Sequence, residues 1–278
     1  MSNTTISIAS IVESVAAIMG EGYEVLSRQI VKNGVAKDAV IIKRNGENIA
    51  PTIYVDDLDA GEEMSADNLA CKIVHIYNSC KEKSFSFDLD AFIGMSPRDV
   101  LQRVQIKLVS VPMEGSVEVL EGIYALPIIP VDLDDEHGTI VLNSKHCEHW
   151  NLSVEEAVQA GIANLTGNHK ITNMMEIFIP MMYVGTNADK CNGATVITDT
   201  AALSIFAAEK QAEVVAIIPS SIHECILIPM TMEELEESAE YLCSIIGDVN
   251  ASQVIPEERL SNNLYAFYSE EGIVKKVC

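Results

Sequence analysis

The sequence predicts an α+β fold. It has an N-terminal helix followed by an antiparallel meander, then a C-terminal mixed sheet flanked by helices. Three observations predict this. Short runs rich in β-branched residues are bounded by Asn-Gly, Gly and Pro turn signals. Other segments repeat apolar residues at helical spacing behind Ser, Thr or Asp caps. Hydrophobic residues make up 48% of the 278 and mean hydropathy is +0.19, enough to bury a sizeable core. Such a length suits one large domain or two of ordinary size. The expected parts are residues 1–115 and residues 116–278.

In the first part, Ile8, Ile11, Val12, Val15 and Ile18 follow helical spacing, and Gly20 and Gly22 end the helix. Strands are expected over 23–31, 39–42 and 49–55. Asn33-Gly34 and Asn45-Gly46 join them, because both residue types tolerate positive φ. Asp56 to Glu63 is an acidic loop without the twelve-residue calcium ligand pattern. Ser65 caps a helix to about residue 82, with Leu69, Ile73, Ile76 and Tyr77 on one face. His75 and Cys80 lie on that helix five apart, off a common face, so they do not share a metal. Residues 84–95 read as irregular. Ser96-Pro97 starts a helix, and 103–111 fits strand or helix.

In the second part, Pro127 and Pro130 make 122–133 an edge strand or an extended crossing segment, since proline removes ladder donors. An acidic turn over 132–138 leads to a strand at 139–142. His146, Cys147 and His149 have no second ligand pair of comparable quality for a tetrahedral zinc site; they fit a short helix that packs Trp150. Ser153 and Glu156 form a capping box for a helix to about 165. A polar linker at 167–172, an apolar run at 177–183, a turn at 187–193 and a strand at 194–197 follow. Asp199 or Thr200 caps a helix through about 210. Val214–Ile218 and Cys225–Ile228 are buried strands around the polar block Pro219-Ser220-Ser221-Ile222-His223-Glu224. Thr231 and Glu234 cap a helix to about 246, a turn begins at Pro256, and 264–268 closes the chain.

Charge excludes some functions. The 41 acids and 18 bases give a formal net charge of −23. Residues 1–139 carry 22 acids and 11 bases, and residues 140–278 carry 19 and 7, so the halves are −11 and −12. Such a field opposes nucleic acid and anionic membrane. Solubility explains it, as does a surface that meets a basic protein partner by imitating nucleic acid. No run of eighteen apolar residues occurs, so no membrane span is expected. The odd count of seven Cys, without any C-x-x-C and without a basic leader, fits reduced buried thiols in the cytoplasm.

Several segments together resemble the uncharacterised bacterial family called domain of unknown function 5688. They are Lys32–Val35, Ala50–Tyr54, Tyr183–Asn187, Gly193-Ala194, Pro219–Glu224, Val249-Asn250 and Pro256–Ser261. The resemblance implies a cytosolic protein of anaerobic Gram-positive bacteria, often encoded near mobile elements. It transfers no activity, cofactor or catalytic residue. Its neighbourhood allows the inhibition of a nucleic-acid-binding defence complex.

The block at 219–224 holds a nucleophile, a base and an acid in Ser221, His223 and Glu224. In an extended chain Ser221 and His223 share a face and Glu224 points away. No Gly-x-Ser-x-Gly elbow accompanies them. A hydrolase or other small-molecule enzyme predicts that all three line one pocket. The preferred expectation is a non-enzymatic interaction protein without cofactor or metal, its binding residues Ser220, His223, Glu224, Arg259 and Asn250. In it the block is a structural pin: His223 and Glu224 are at least half buried and bonded to the 250–261 segment, with Arg259 as partner of Glu224.

Overall fold

The computed structural model describes residues 6–47, 50–58, 65–81, 87–133, 136–174 and 182–278. The chain forms two units, residues 1–89 with 133–136, and residues 90–132 with 137–278.

In the first unit, α1 (Ile8–Met19) is capped by the Ser7 hydroxyl and ends at Gly20, whose φ is 72°. A meander follows, with β1 (Tyr23–Lys32), β2 (Val35–Arg44) and β3 (Thr52–Tyr54) in that order. The β1–β2 turn places Asn33 and Gly34 at φ 46° and 84°. This is the left-handed pair that Asn-Gly accommodates at little cost and other residues resist. With α2 (Ala66–Lys81), Ile11 and Val15 of α1 cover Val40, Ile42 and Ile53 of the sheet.

The second unit begins with α3 (Leu89–Ile93), α4 (Pro97–Arg103) and β4 (Gln105–Val109). Residues 90–115, read from sequence as part of the N-terminal domain, therefore belong here. The reason is packing on α6 (Val154–Leu165), which follows the short α5 (Ser144–His149). Asn164 Nδ2 donates to the Leu101 and Val104 carbonyls at 2.9 and 2.7 Å. Gly161 lets α6 approach so closely that a Cβ there would sit 2.8 Å from the Gln105 backbone. Within the segment 103–111 the chain is thus a strand from Gln105 to Val109. It pairs with β6 (Ile123–Leu133), which also pairs with β5 (Val117–Leu120) and β7 (Glu136–Val141). The Pro-containing run is consequently interior to this four-stranded sheet.

The larger sheet has six strands in the order β13-β12-β10-β11-β9-β8. They are β8 (His169–Asn173), β9 (Tyr183–Asn187), β10 (Val214–Ile218), β11 (Cys225–Met230), β12 (Tyr265–Tyr268) and β13 (Ile273–Lys276). The expected mixed sheet is corrected: all five pairings are antiparallel. Strands consecutive in sequence, β8–β9, β10–β11 and β12–β13, pair directly. The helical crossovers, α7 (Thr200–Lys210) and α8 (Met232–Gln253), each skip one strand, so strands running the same way are never neighbours.

All five residues of β10 are buried. Val215 and Ile217 enter a core shared with α6, α7, β4 and β6, whereas Val214, Ala216 and Ile218 enter a second core under α8. This period-two division covers both faces of the central strand.

Other local readings change in three dimensions. Residues 193–198 form a 3-10 helix rather than a strand. The Thr195 and Thr198 hydroxyls close its tight turns on the Asn192 and Thr195 carbonyls. The supposed linker contains β8. Helix α8 runs to Gln253, because Asn250 turns inward and prolongs its buried side. Cys243 and Cys278 form a disulfide, which corrects the expectation of seven reduced thiols. Cys71, Cys80, Cys147, Cys191 and Cys225 are free. No described helix is long and apolar enough to cross a membrane.

Candidate functional site

The block at 219–224 connects β10 to β11 and is gripped on both sides. On one side it meets the 256–261 segment. Ile222 N–H donates to the Glu258 carbonyl at 2.8 Å, and Leu260 and Ser261 N–H donate to the Ser220 and Pro219 carbonyls at 3.1 and 3.0 Å. On the other side it meets the 3-10 helix and β9. Ala194 N–H donates to the Ile222 carbonyl at 3.3 Å, and the Thr186 hydroxyl donates to the His223 carbonyl at 2.8 Å. The main chain of the block is therefore satisfied by neighbours distant in sequence, as a buried turn requires.

Gly193 is the tightest point. A Cβ there would stand 2.5 Å from the His223 carbonyl oxygen and 2.7 Å from the Asn187 nitrogen, and would overlap the Thr186 hydroxyl. Two of these neighbours are backbone and cannot rotate away. Tyr183–Asn187, Gly193-Ala194, Pro219–Glu224, Asn250 and Pro256–Ser261 thus form one connected region.

Each candidate side chain now has a place. Ser221 Oγ accepts from the His223 backbone N–H at 3.1 Å, a turn formed by a serine on its own loop. It does not hold the imidazole. His223 Nδ1 accepts from the Asn192 N–H at 3.2 Å, and Nε2 lies 3.6 Å from Glu258 Oε1. The ring is held by a main-chain amide rather than a carbonyl and faces the 250–261 segment, with 31% of its side chain exposed.

Glu224 is exposed, against the expectation of burial. The reason is alternation: it precedes fully buried Cys225 at the start of β11 and points to the other side. Arg259 donates instead to the Val254 and Ala251 carbonyls at 2.8 and 3.1 Å, neutralising the C-terminal end of α8. Asn250 is buried and donates to the Ser261 carbonyl and to Asn262 Oδ1 at 2.9 and 2.8 Å. It lies inside the join, not on a surface. Ser220 is half-buried, and its carbonyl is the acceptor for Leu260. Ser221, His223 and Glu224 are close in sequence but are not hydrogen-bonded as a nucleophile–base–acid series.

A different group has that series, and sequence reading missed it. His169 Nδ1 lies 2.8 Å from Asp199 Oδ2, and His169 Nε2 lies 2.9 Å from Thr195 Oγ1. The His169 and Asp199 side chains are 0% and 1% exposed. Asp199 also caps α7 through the Ala202 N–H at 3.0 Å and accepts from the Gly167 N–H at 2.9 Å. Burial pushes its carboxyl up, but the bonds from His169, Ala202 and Gly167 outweigh it and hold the carboxyl below its ordinary range. The cluster ties the end of α6, the start of β8 and the start of α7. With its side chains buried it offers a substrate no access. The only local signal was Asp199 at a helix start; its partner lies thirty residues earlier in the chain.

The residues considered for zinc have other partners. His146 Nδ1 accepts from the Asn143 N–H at 3.1 Å. His149 Nε2 and Trp150 Nε1 approach the Ile93 carbonyl at 3.0 and 3.3 Å. Burial, then the charge of Glu155, pushes the Cys147 thiol up, disfavouring the thiolate that a metal needs. Cys225 is pushed up further by complete burial, and its Sγ contacts the Ala194 carbonyl at 3.5 Å.

Among the described residues the architecture is that of an α+β protein with three antiparallel sheets and a polar join at the end of its central hairpin. The family described as "Family of unknown function (DUF5688)" matches residues 7–269, and the chain belongs to it. No curated protein and no solved structure matches the chain.

Proposed function

We propose that this is a non-enzymatic interaction protein that docks a basic protein partner on the solvent face of α8. One observation supports it above others. Glu233, Glu237, Glu240 and Asp248 are all exposed and recur on one side of the helix, with Glu236 beside them. The row spans about 22 Å at 1.5 Å per residue. Tyr241, 66% exposed, stands at its flank as an aromatic anchor of the kind interfaces favour. Residues 211–258 contain ten acids and neither Lys nor Arg. The even charge of the two halves therefore hides an uninterrupted acidic stretch. Solubility needs only scattered charge, whereas a surface imitating nucleic acid needs a continuous row.

Basic proteins that bind nucleic acid are the partner class this favours, and inhibition of a defence complex is the narrower form of the reading. The test compares wild type with a Glu233→Lys, Glu237→Lys, Glu240→Lys variant in capture from native lysate. Proteins held by wild type at low salt should be released by salt and lost from the variant. Equal capture by both forms at low salt would sink the proposal.

A further inference from the structure

We propose that the join at 219–224 is a proton-operated latch, in which charging His223 releases the 187–192 loop while the 256–261 segment stays bound. The inference is independent of the docking surface on α8. It begins from which ring nitrogen carries a proton. His223 Nδ1 accepts from the Asn192 N–H, so in the neutral ring the proton sits on Nε2, 3.6 Å from Glu258 Oε1. A second proton has one place to go, which is Nδ1. There it meets the Asn192 N–H, donor against donor, and the 3.2 Å bond is lost. The same proton gives the ring a positive charge facing the Glu258 carboxylate. One protonation thus weakens one grip and strengthens the other. The side chain is 31% exposed, so a proton can reach it directly from solvent.

The 187–192 loop is built to respond. Asn192 precedes the 3-10 helix in the left-handed region, at φ 55°, and its side chain makes no capping bond. Lys190 is also left-handed, at φ 52°. For residues other than glycine such conformations persist only while their surroundings hold them. What closes the loop on itself is the Asn187 side chain, which bonds the Cys191 carbonyl and N–H at 2.7 and 3.2 Å. Its tie to the join is the His223 ring.

The charged groups on the elements around the ring are few. The loop carries Asp189, Lys190 and Cys191, and the facing segment carries Glu257, Glu258 and Arg259. The join itself adds exposed Glu224, and the 3-10 helix has no ionisable residue. Arg259 holds the end of α8, and Glu258 is the carboxylate aimed at Nε2. The 256–261 segment keeps its three backbone bonds to the join in either state, because none of them uses the imidazole.

The experiment is amide hydrogen exchange on the full chain between pH 8 and 5.5, with rates corrected for the intrinsic pH dependence of exchange. Protection at the Asn192 amide, the one bonded to the ring, should fall at least tenfold toward pH 5.5. Protection at Leu260 and Ser261 should stay constant. His223→Asn keeps an acceptor near Nδ1 but takes no proton, and should abolish the pH dependence. Constant protection of the Asn192 amide in wild type overturns the proposal, as does an unaltered response in His223→Asn. Should His223→Asn fail to fold, His223→Gln, which also offers an acceptor and takes no proton, replaces it, and an unaltered pH response in that variant overturns the proposal.

Discussion

His169 and His223 both bond the segment around the 3-10 helix at 193–198, His169 at Thr195 and Asp199 and His223 at Asn192. His169 has no exposed side-chain surface, and both ring nitrogens are met by side chains, those of Asp199 and Thr195. His223 keeps about a third of its side chain exposed and is met by one backbone amide and a carboxylate 3.6 Å away. The geometry associated with a catalytic triad belongs to the histidine that no substrate can reach. The residue composition associated with one belongs to the histidine whose neighbours are arranged otherwise. Composition along the chain and constellation in space are different quantities, and a triad is defined by the second.

Substitutions sharpen the comparison, and the largest effect is expected at the point the two sites share. Gly193→Ala forces a Cβ against two backbone atoms and the Thr186 hydroxyl. It should cost about 3 kcal/mol or more, at the upper end for overpacking. Chemical denaturation measures it, and an unchanged midpoint would show that the join has slack.

Asp199→Asn comes next, at about 3 kcal/mol, because it sets an amide against donors that need a carboxylate. It also carries a pH signature. The Asp199 carboxyl is held below its ordinary 3.8, so its stabilisation is fully present above that value. It is lost as pH falls through the lower folded value. The stability gap between wild type and Asp199→Asn should therefore be flat from about pH 8 to 5 and narrow below about pH 4. A gap that widens in acid would contradict the buried carboxylate.

Thr195→Val keeps the shape but strips the hydroxyl from His169 and from the Asn192 carbonyl. The expected loss is about 1–3 kcal/mol, the range for buried groups left unpaired. Equal stability would mean that the third member of the buried series is passive.

His223→Ala should cost least, about 1–2 kcal/mol, since water replaces part of what is removed. Thermal unfolding and partner capture are to be measured on one sample. Unchanged stability with abolished capture would make the join a working surface and overturn its structural role.

Much of the architecture was legible because its causes are local. Capping boxes at Ser153 and Thr231 bond residues three apart, so the helices they open were readable. Asn33-Gly34 declared its turn through backbone permissiveness alone. The strands around 219–224 announced themselves because β10 is buried on both faces and is accordingly apolar throughout.

The sequence by itself thus determined the fold class, the N-terminal meander, the central hairpin and the family. Each rests on propensity, periodicity or pattern within a short window. Only the tertiary structure decided that residues 194–197 coil rather than extend, since their burial and the Thr195 and Thr198 hydroxyl bonds override β-branched propensity. It alone decided that Arg259 serves the end of α8 and leaves Glu224 in solvent. It alone brought His169 to Asp199, through the chain path that returns α7 beside the start of β8. A hydrogen bond depends on position to within fractions of an ångström. Position across thirty residues is set by how sheets and helices share a core.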